Sequence, residues 1–129
     1  MTQEEKELLF KDLCMRLPYG VIIKTILDNG KLIGFDIERE ELHLRQLNNK
    51  EYRYYTVLND DPKPYLRPMS SMTKKEYNEY EKTLLFNNDF GDSQTIESFD
   101  WLNKNHFDYR GLIEKGLALE ATEEMYKKD

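Results

Sequence analysis

An α+β fold is what this sequence predicts: an N-terminal helix, a small four- to five-stranded antiparallel twisted sheet or SH3-like barrel, then two to three C-terminal helices. Three observations predict it. A helical apolar stripe runs from Leu9 to Leu17 and stops at Pro18. Segments rich in β-branched and aromatic residues, parted by polar turns, fill residues 19–68. Thr-x-x-Glu signatures at Thr2–Glu5 and Thr73–Glu76 mark helix starts on either side of them. At 129 residues there is room for one core, and a domain of this size buries roughly two-thirds of the surface its unfolded chain exposes. We read residues 1–129 as one domain, with a helix at 1–18, a β section at 19–68 and a helical section at 69–129.

In the first element Thr2 caps the helix and Glu5 reaches back to the Thr2 amide. Leu9, Leu13 and Leu17 recur at helical spacing with Cys14 beside them, so a buried free thiol is expected there. The helix ends at Pro18, because the residue before a proline avoids the α region. Val21 to Leu27, rich in β-branched residues, reads as the first strand. Asp28-Asn29-Gly30 supplies the positive φ angles of a tight hairpin, and Lys31 to Ile37 returns with Ile33, Phe35 and Ile37 on one face. Glu38 to Glu41 is a charged turn. Leu42 and Leu44 alternate against His43, Arg45 and Leu47 in a third strand. Asn48-Asn49-Lys50 turns the chain again, Tyr52 to Leu58 makes a fourth strand, and a short fifth lies near Pro64-Tyr65-Leu66.

Prolines at 62, 64 and 68 keep the chain irregular before the helical section. Thr73 and Glu76 open a helix with Tyr77, Tyr80 and Leu84 on one face, running to about Phe86. Asn87 to Gln94 is a polar loop. Ser93 or Thr95 opens the next helix, whose Ile96, Phe99 and Leu102 fall three apart. Asp108 caps a last short helix bearing Leu112 and Ile113, which Gly116 ends.

Charge is unevenly spread within a net −6: residues 19–72 hold eight basic and eight acidic groups, residues 73–129 eight basic and thirteen acidic. The acidic C-terminal half repels a phosphate backbone, so nucleic acid is the less favoured partner and is approachable only through the middle section. The N-terminus is acidic and polar where a secretory signal is basic and then apolar. Apolar runs reach only three residues, against roughly twenty for a bilayer span. A cytoplasmic protein with no membrane partner is expected. A lone cysteine, Cys14, allows neither an internal disulfide nor a thiolate metal cage.

Chemistry finds little support. His43 faces solvent in an alternating strand and His106 sits at a helix end, so neither has the company a metal site needs. Aligning Gly91 with the sixth position of a calcium loop places Glu97 at the twelfth, yet puts Phe86 and Phe90 where oxygen ligands belong. No serine lies in a Gly-x-Ser-x-Gly elbow, and the six glycines are too dispersed for a phosphate cradle. We expect no enzyme, cofactor or metal. The suggestive stretch is basic and aromatic: Tyr52, Arg53, Tyr54 and Tyr55, leading to Tyr65 and Arg67. Such residues anchor protein surfaces or stack bases while pairing phosphates; alternation along a strand accounts for them too. The expected function is a non-catalytic interaction module that binds an unknown protein or itself. A nucleic-acid-binding accessory factor using the residue 50–67 surface is the alternative.

Two stretches carry a resemblance: Lys63-Pro64-Tyr65-Leu66-Arg67-Pro68-Met69-Ser70-Ser71-Met72-Thr73, and Asp100-Trp101-Leu102 through His106-Phe107-Asp108-Tyr109-Arg110-Gly111-Leu112 to Ala118. They resemble a family of uncharacterised small bacterial proteins of gut anaerobes, often associated with phage or mobile elements. The resemblance implies a bacterial cytoplasmic setting and an accessory role, and it brings no site residues with it.

With no ligand set for a structural ion, EDTA is expected to leave the melting temperature unchanged. A drop on chelation that one divalent ion restores overturns this expectation.

Overall fold

The computed structural model describes residues 1–87 and 91–127, with side chains described outside 86–92. Helix α1 (Gln3–Arg16) is followed by a 3₁₀ turn and five strands: β1 (Ile22–Lys24), β2 (Asn29–Asp36), β3 (Glu41–Gln46), β4 (Arg53–Val57) and β5 (Lys63–Pro68). Helix α2 (Lys74–Glu81), a hairpin of β6 (Leu85–Asn87) and β7 (Gly91–Ser93), helix α3 (Ile96–Lys104), β8 (Phe107–Asp108) and β9 (Leu119–Glu120) complete the chain. The main sheet runs β4-β3-β2-β1-β5-β8, with β9 also on β5. β1 to β5 are antiparallel neighbours, whereas β8 and β9 run parallel to β5.

The α+β class and the helix–sheet–helix order stand. The sheet is mixed, has more strands than expected, and does not close into a barrel, since β4 and β8 lie at opposite ends of it. Both capping boxes form: Glu5 N donates to Thr2 Oγ1 at 3.1 Å and Thr2 N to Glu5 Oε1 at 2.8 Å, with Thr73 and Glu76 repeating the pattern. Such caps contribute about 1 kcal/mol each.

Several local expectations are corrected. The first strand stops at Lys24, and Thr25–Asp28 is a rigid turn: Thr25 Oγ1 donates to Asp28 O at 2.6 Å and accepts from the Leu27 and Asp28 amides. Asn29 and Gly30 are paired strand residues. A bulge at Ile33 shifts the phase of β2, so Leu32 faces Leu44 and Phe35 faces Leu42 on the core side, and Ile37 is exposed. α2 ends at Glu81, and Leu85–Asn87 goes into a hairpin. The middle of the expected 87–94 loop lies outside the described residues, as do Lys128 and Asp129. Asp108 caps as expected, accepting from Leu112 N and Ile113 N at 2.9 and 3.0 Å, but it caps a tight turn rather than a helix. Gly116, at φ 74°, closes that turn.

The core lies under the inner face of the sheet, where Leu9 and Leu13 of α1 meet Leu32, Leu42, Leu44 and Leu66. A second cluster joins Tyr80 of α2, Leu102 of α3 and Phe107 of β8, with Trp101 packed against it. The Trp101 ring stacks on Phe107 at 5.7 Å and meets Tyr80 at 5.5 Å, at the junction of helices and sheet.

The buried face of α1 comprises Leu9, Asp12, Leu13 and Arg16, and Cys14 is exposed rather than buried. Asp12 and Arg16, one turn apart, are both 0% exposed. Arg16 Nε donates to Asp12 Oδ2 at 2.7 Å, and Arg16 Nη2 to the Phe107 carbonyl at 2.7 Å. Arg110 Nε approaches Asp12 Oδ1 at 3.2 Å. Both guanidiniums lie over the Tyr109 ring, at 5.4 and 5.2 Å. Asp12→Ala strips one carboxylate from two guanidiniums and is expected to cost about 3–5 kcal/mol in urea denaturation, the usual result of breaking a buried pair. A loss under about 1 kcal/mol overturns this assignment.

Candidate functional site

The six residues singled out in the sequence do not form one surface. β4 and β5 are separated by three strands, β3, β2 and β1. Arg53 and Tyr55 project from the edge strand β4 into solvent, whereas Tyr54 is buried on the opposite face. Tyr52 is exposed and stacks on Tyr54 at 5.9 Å. Tyr65 lies half-buried on β5, its carbonyl taken by the Tyr126 hydroxyl at 2.7 Å.

Arg67 is a structural residue. Its Nη1 and Nη2 each donate to Glu76 at 2.7 Å, and its guanidinium lies 4.2 Å from the centre of the Phe107 ring. These bonds from Arg67, more than the Thr73 amide, hold the Glu76 carboxyl below its ordinary range. The pair thus joins β5, α2 and β8, and its charge is already matched. His106, at φ 63°, stacks on Tyr126 at 3.7 Å, a packed ring. Among the described residues, no three His, Cys, Asp or Glu side chains gather as metal ligands. No helix among them is long and apolar enough to cross a membrane.

The structure instead brings Tyr52 and Tyr54 together with a feature hidden inside the expected first strand. Ile26 and Leu27 are 72% and 71% exposed at the tip of the β1–β2 turn. The tip is braced from below: Tyr54 Oη donates to Asp28 O at 3.1 Å, and Gln46 Nε2 to Asp28 Oδ2 at 3.0 Å. The Gln46 amide, then the Asn29 N–H, hold the Asp28 carboxyl below its ordinary value of 3.8. The stabilisation is therefore fully present above that value and is lost only as pH falls through the lowered one. Burial pushes the Tyr54 hydroxyl up, keeping it a donor. Leu27, Asp28, Asn49 and Tyr52 line a hollow of about 300 Å³. On the other flank Ile26 lines one of about 400 Å³ with Asp60, Asp61 and Leu119.

Gly30 permits this bracing. A Cβ there would stand 2.5 Å from Tyr54 Oη and 3.1 Å from Leu44 Cβ, so the glycine serves close approach rather than a turn. The signal available in the sequence was Ile-Leu followed at once by Asp-Asn-Gly; β-branched content extended the strand across it.

No family model matches this chain, and no curated protein or solved structure matches it. The α+β class rests on the geometry above, and the likeness of residues 63–73 and 100–118 to mobile-element proteins gains no support from these comparisons.

Gly30→Ala is expected to destabilise the fold by about 1–3 kcal/mol, as overpacking does. Tyr54→Phe removes the clashing oxygen, so the double variant should lose less than the sum of the singles. Strict additivity in denaturation midpoints overturns the account.

Proposed function

We propose that this protein is a non-catalytic interaction module that docks an apolar segment of a protein partner on the Ile26–Leu27 tip and the adjoining Tyr52 hollow. One observation carries the reading: two large aliphatic side chains, over 70% exposed, on a turn held by five hydrogen bonds. Exposed apolar groups on a mobile loop would be ordinary. On a braced turn they are pre-ordered, and ordering costs that usually weaken association are already met. Tyr52 adds an aromatic anchor beside them, and the uncharged Asn49 with the already bonded Asp28 and Gln46 forms a polar rim. The setting we assign is a bacterial cytoplasm and an accessory role in a phage or mobile element, as the resemblance implies.

The test is affinity capture from the native cell with the wild-type chain and with the Ile26→Asp/Leu27→Asp variant as baits. Both side chains are exposed, so the variant should melt at the wild-type temperature. A specific protein held through a high-salt wash by the wild type, and weakened about 30-fold or more in the variant, is the expected result; hot-spot truncations reach this size. Retention of the same partner by the variant overturns the reading. Light scattering on the purified chain separates self-association from binding to another protein.

A further inference from the structure

The outer face of the sheet carries an arrangement that stability alone disfavours. Lys31 on β2 stands directly opposite Arg45 on β3, and Arg45 directly opposite Arg53 on β4. Residues so opposed have Cβ atoms about 4.5–5.5 Å apart, and like charges there repel. Three cations form one row across three strands, about 10 Å long at ordinary strand spacing. None of them joins an ion pair among the described residues.

Arg45, at the centre, adds a second observation. Its Nε is shielded from solvent and donates to no acceptor among the described residues, which leaves the desolvation of that group uncompensated. The surroundings are shaped around the row. A Cβ on Gly20 would lie 2.9 Å from Lys31 Cε, so the glycine makes room for the lysine stem. A hollow of about 500 Å³ lies between Tyr19, Gly20, Lys31, Ile33 and Arg45. In the next row of the same face His43 opposes Tyr55, with ring centres 4.7 Å apart and edge-on. Tyr55 is 65% exposed.

We propose that this face binds the backbone of a single-stranded nucleic acid: Lys31, Arg45 and Arg53 take successive phosphates, and Tyr55, steadied by His43, stacks a base. Interleaved cations and an open ring are the combination that holds single strands. A duplex buries its base faces, a polyanion without rings gives Tyr55 nothing to stack on, and a lone anion needs no row. The surface is separate from the apolar tip and requires neither Tyr65 nor Arg67. The acidic C-terminal half keeps the affinity modest.

The test is fluorescence anisotropy with a labelled twelve-residue oligo-dT at 50 and 200 mM salt, on the full chain. Three phosphate contacts give a log–log salt slope of about −2, since each contributes roughly 0.7 for single strands; binding should weaken about 15-fold between the two salts. Arg45→Gln and Arg53→Gln should each flatten the slope by roughly 0.7, with melting temperatures unchanged or raised because a repulsion is relieved. Tyr55→Ala should weaken binding about tenfold or more at an unchanged slope, as loss of a stacked base does. No binding at 50 mM salt, a slope that the arginine variants do not alter, or equal competition by duplex DNA or by polyglutamate of matched charge overturns the proposal. Arg53 is exposed, so its variant decides the matter should Arg45→Gln fail to fold.

Discussion

The fold depends on placing one guanidinium, that of Arg16, out of water. A buried ion costs several kcal/mol unless it is bonded inside the protein, and here Nε and Nη2 are bonded from two directions while Nη1 finds no partner among the described residues. Asp12 supplies the countercharge from the same helix, and the Phe107 carbonyl arrives from the far end of the chain. That second bond requires the chain to leave α3 through the left-handed His106, which delivers Phe107 alongside β5, where Arg67 N donates to His106 O at 2.7 Å. Phe107 then serves as the plate on which Trp101 and the Arg67 guanidinium rest. α1 and the C-terminal section are thus tied across one buried charge.

The same arrangement decides which side of the sheet is free. α1 covers the inner face, and the β5 side is filled by β8, β9 and the Tyr126 hydroxyl, which accepts from Ile22 N at 2.9 Å and donates to Tyr65 O at 2.7 Å. Burial pushes that hydroxyl far above the ordinary tyrosine value, so it stays protonated in both roles. The outer face of β2, β3 and β4 is left with His43, which meets Tyr55 and Glu41, and with the row Lys31, Arg45 and Arg53, like charges that repel one another. Stability therefore does not account for their assembly, whereas it does account for Arg67.

Much of the architecture was legible because it rests on local rules. Thr2 and Thr73 announce their helices through side chains only three residues away, and Leu42 and Leu44 alternate about His43 as a half-buried strand must. What was not legible rests on distant partners. Asp12 and Arg16 carry no sequence signal of burial; only their mutual pairing, closed by Phe107 ninety-one residues beyond Arg16, makes them core. β8 and β9 are two residues each and carry no periodicity, so only docking on β5 defines them. For the site, the basic and aromatic stretch 52–67 looked continuous because it is continuous in sequence, yet the chain crosses the sheet between Val57 and Lys63. Arg45 and Lys31 were invisible as companions of Arg53 until register set them side by side.

Register also brings the two surfaces together. Asn29 and Gly30 immediately precede Lys31, Gln46 follows Arg45, and Tyr52 precedes Arg53. Gly30 and Gln46 are paired, and Gln46 reaches on to Asp28 at the tip. The residues that brace or flank the tip, Gly30, Gln46 and Tyr52, each adjoin a member of the basic row in sequence, and Leu27 lies four positions before Lys31, so both features sit at the same end of the sheet. Tyr54 links them: its hydroxyl braces the tip, and its backbone sits between the outward-facing Arg53 and Tyr55. A protein docked on Ile26, Leu27 and Tyr52 would therefore lie next to a strand held by Lys31, Arg45 and Arg53, because register places both sets of side chains at one end of the same three strands.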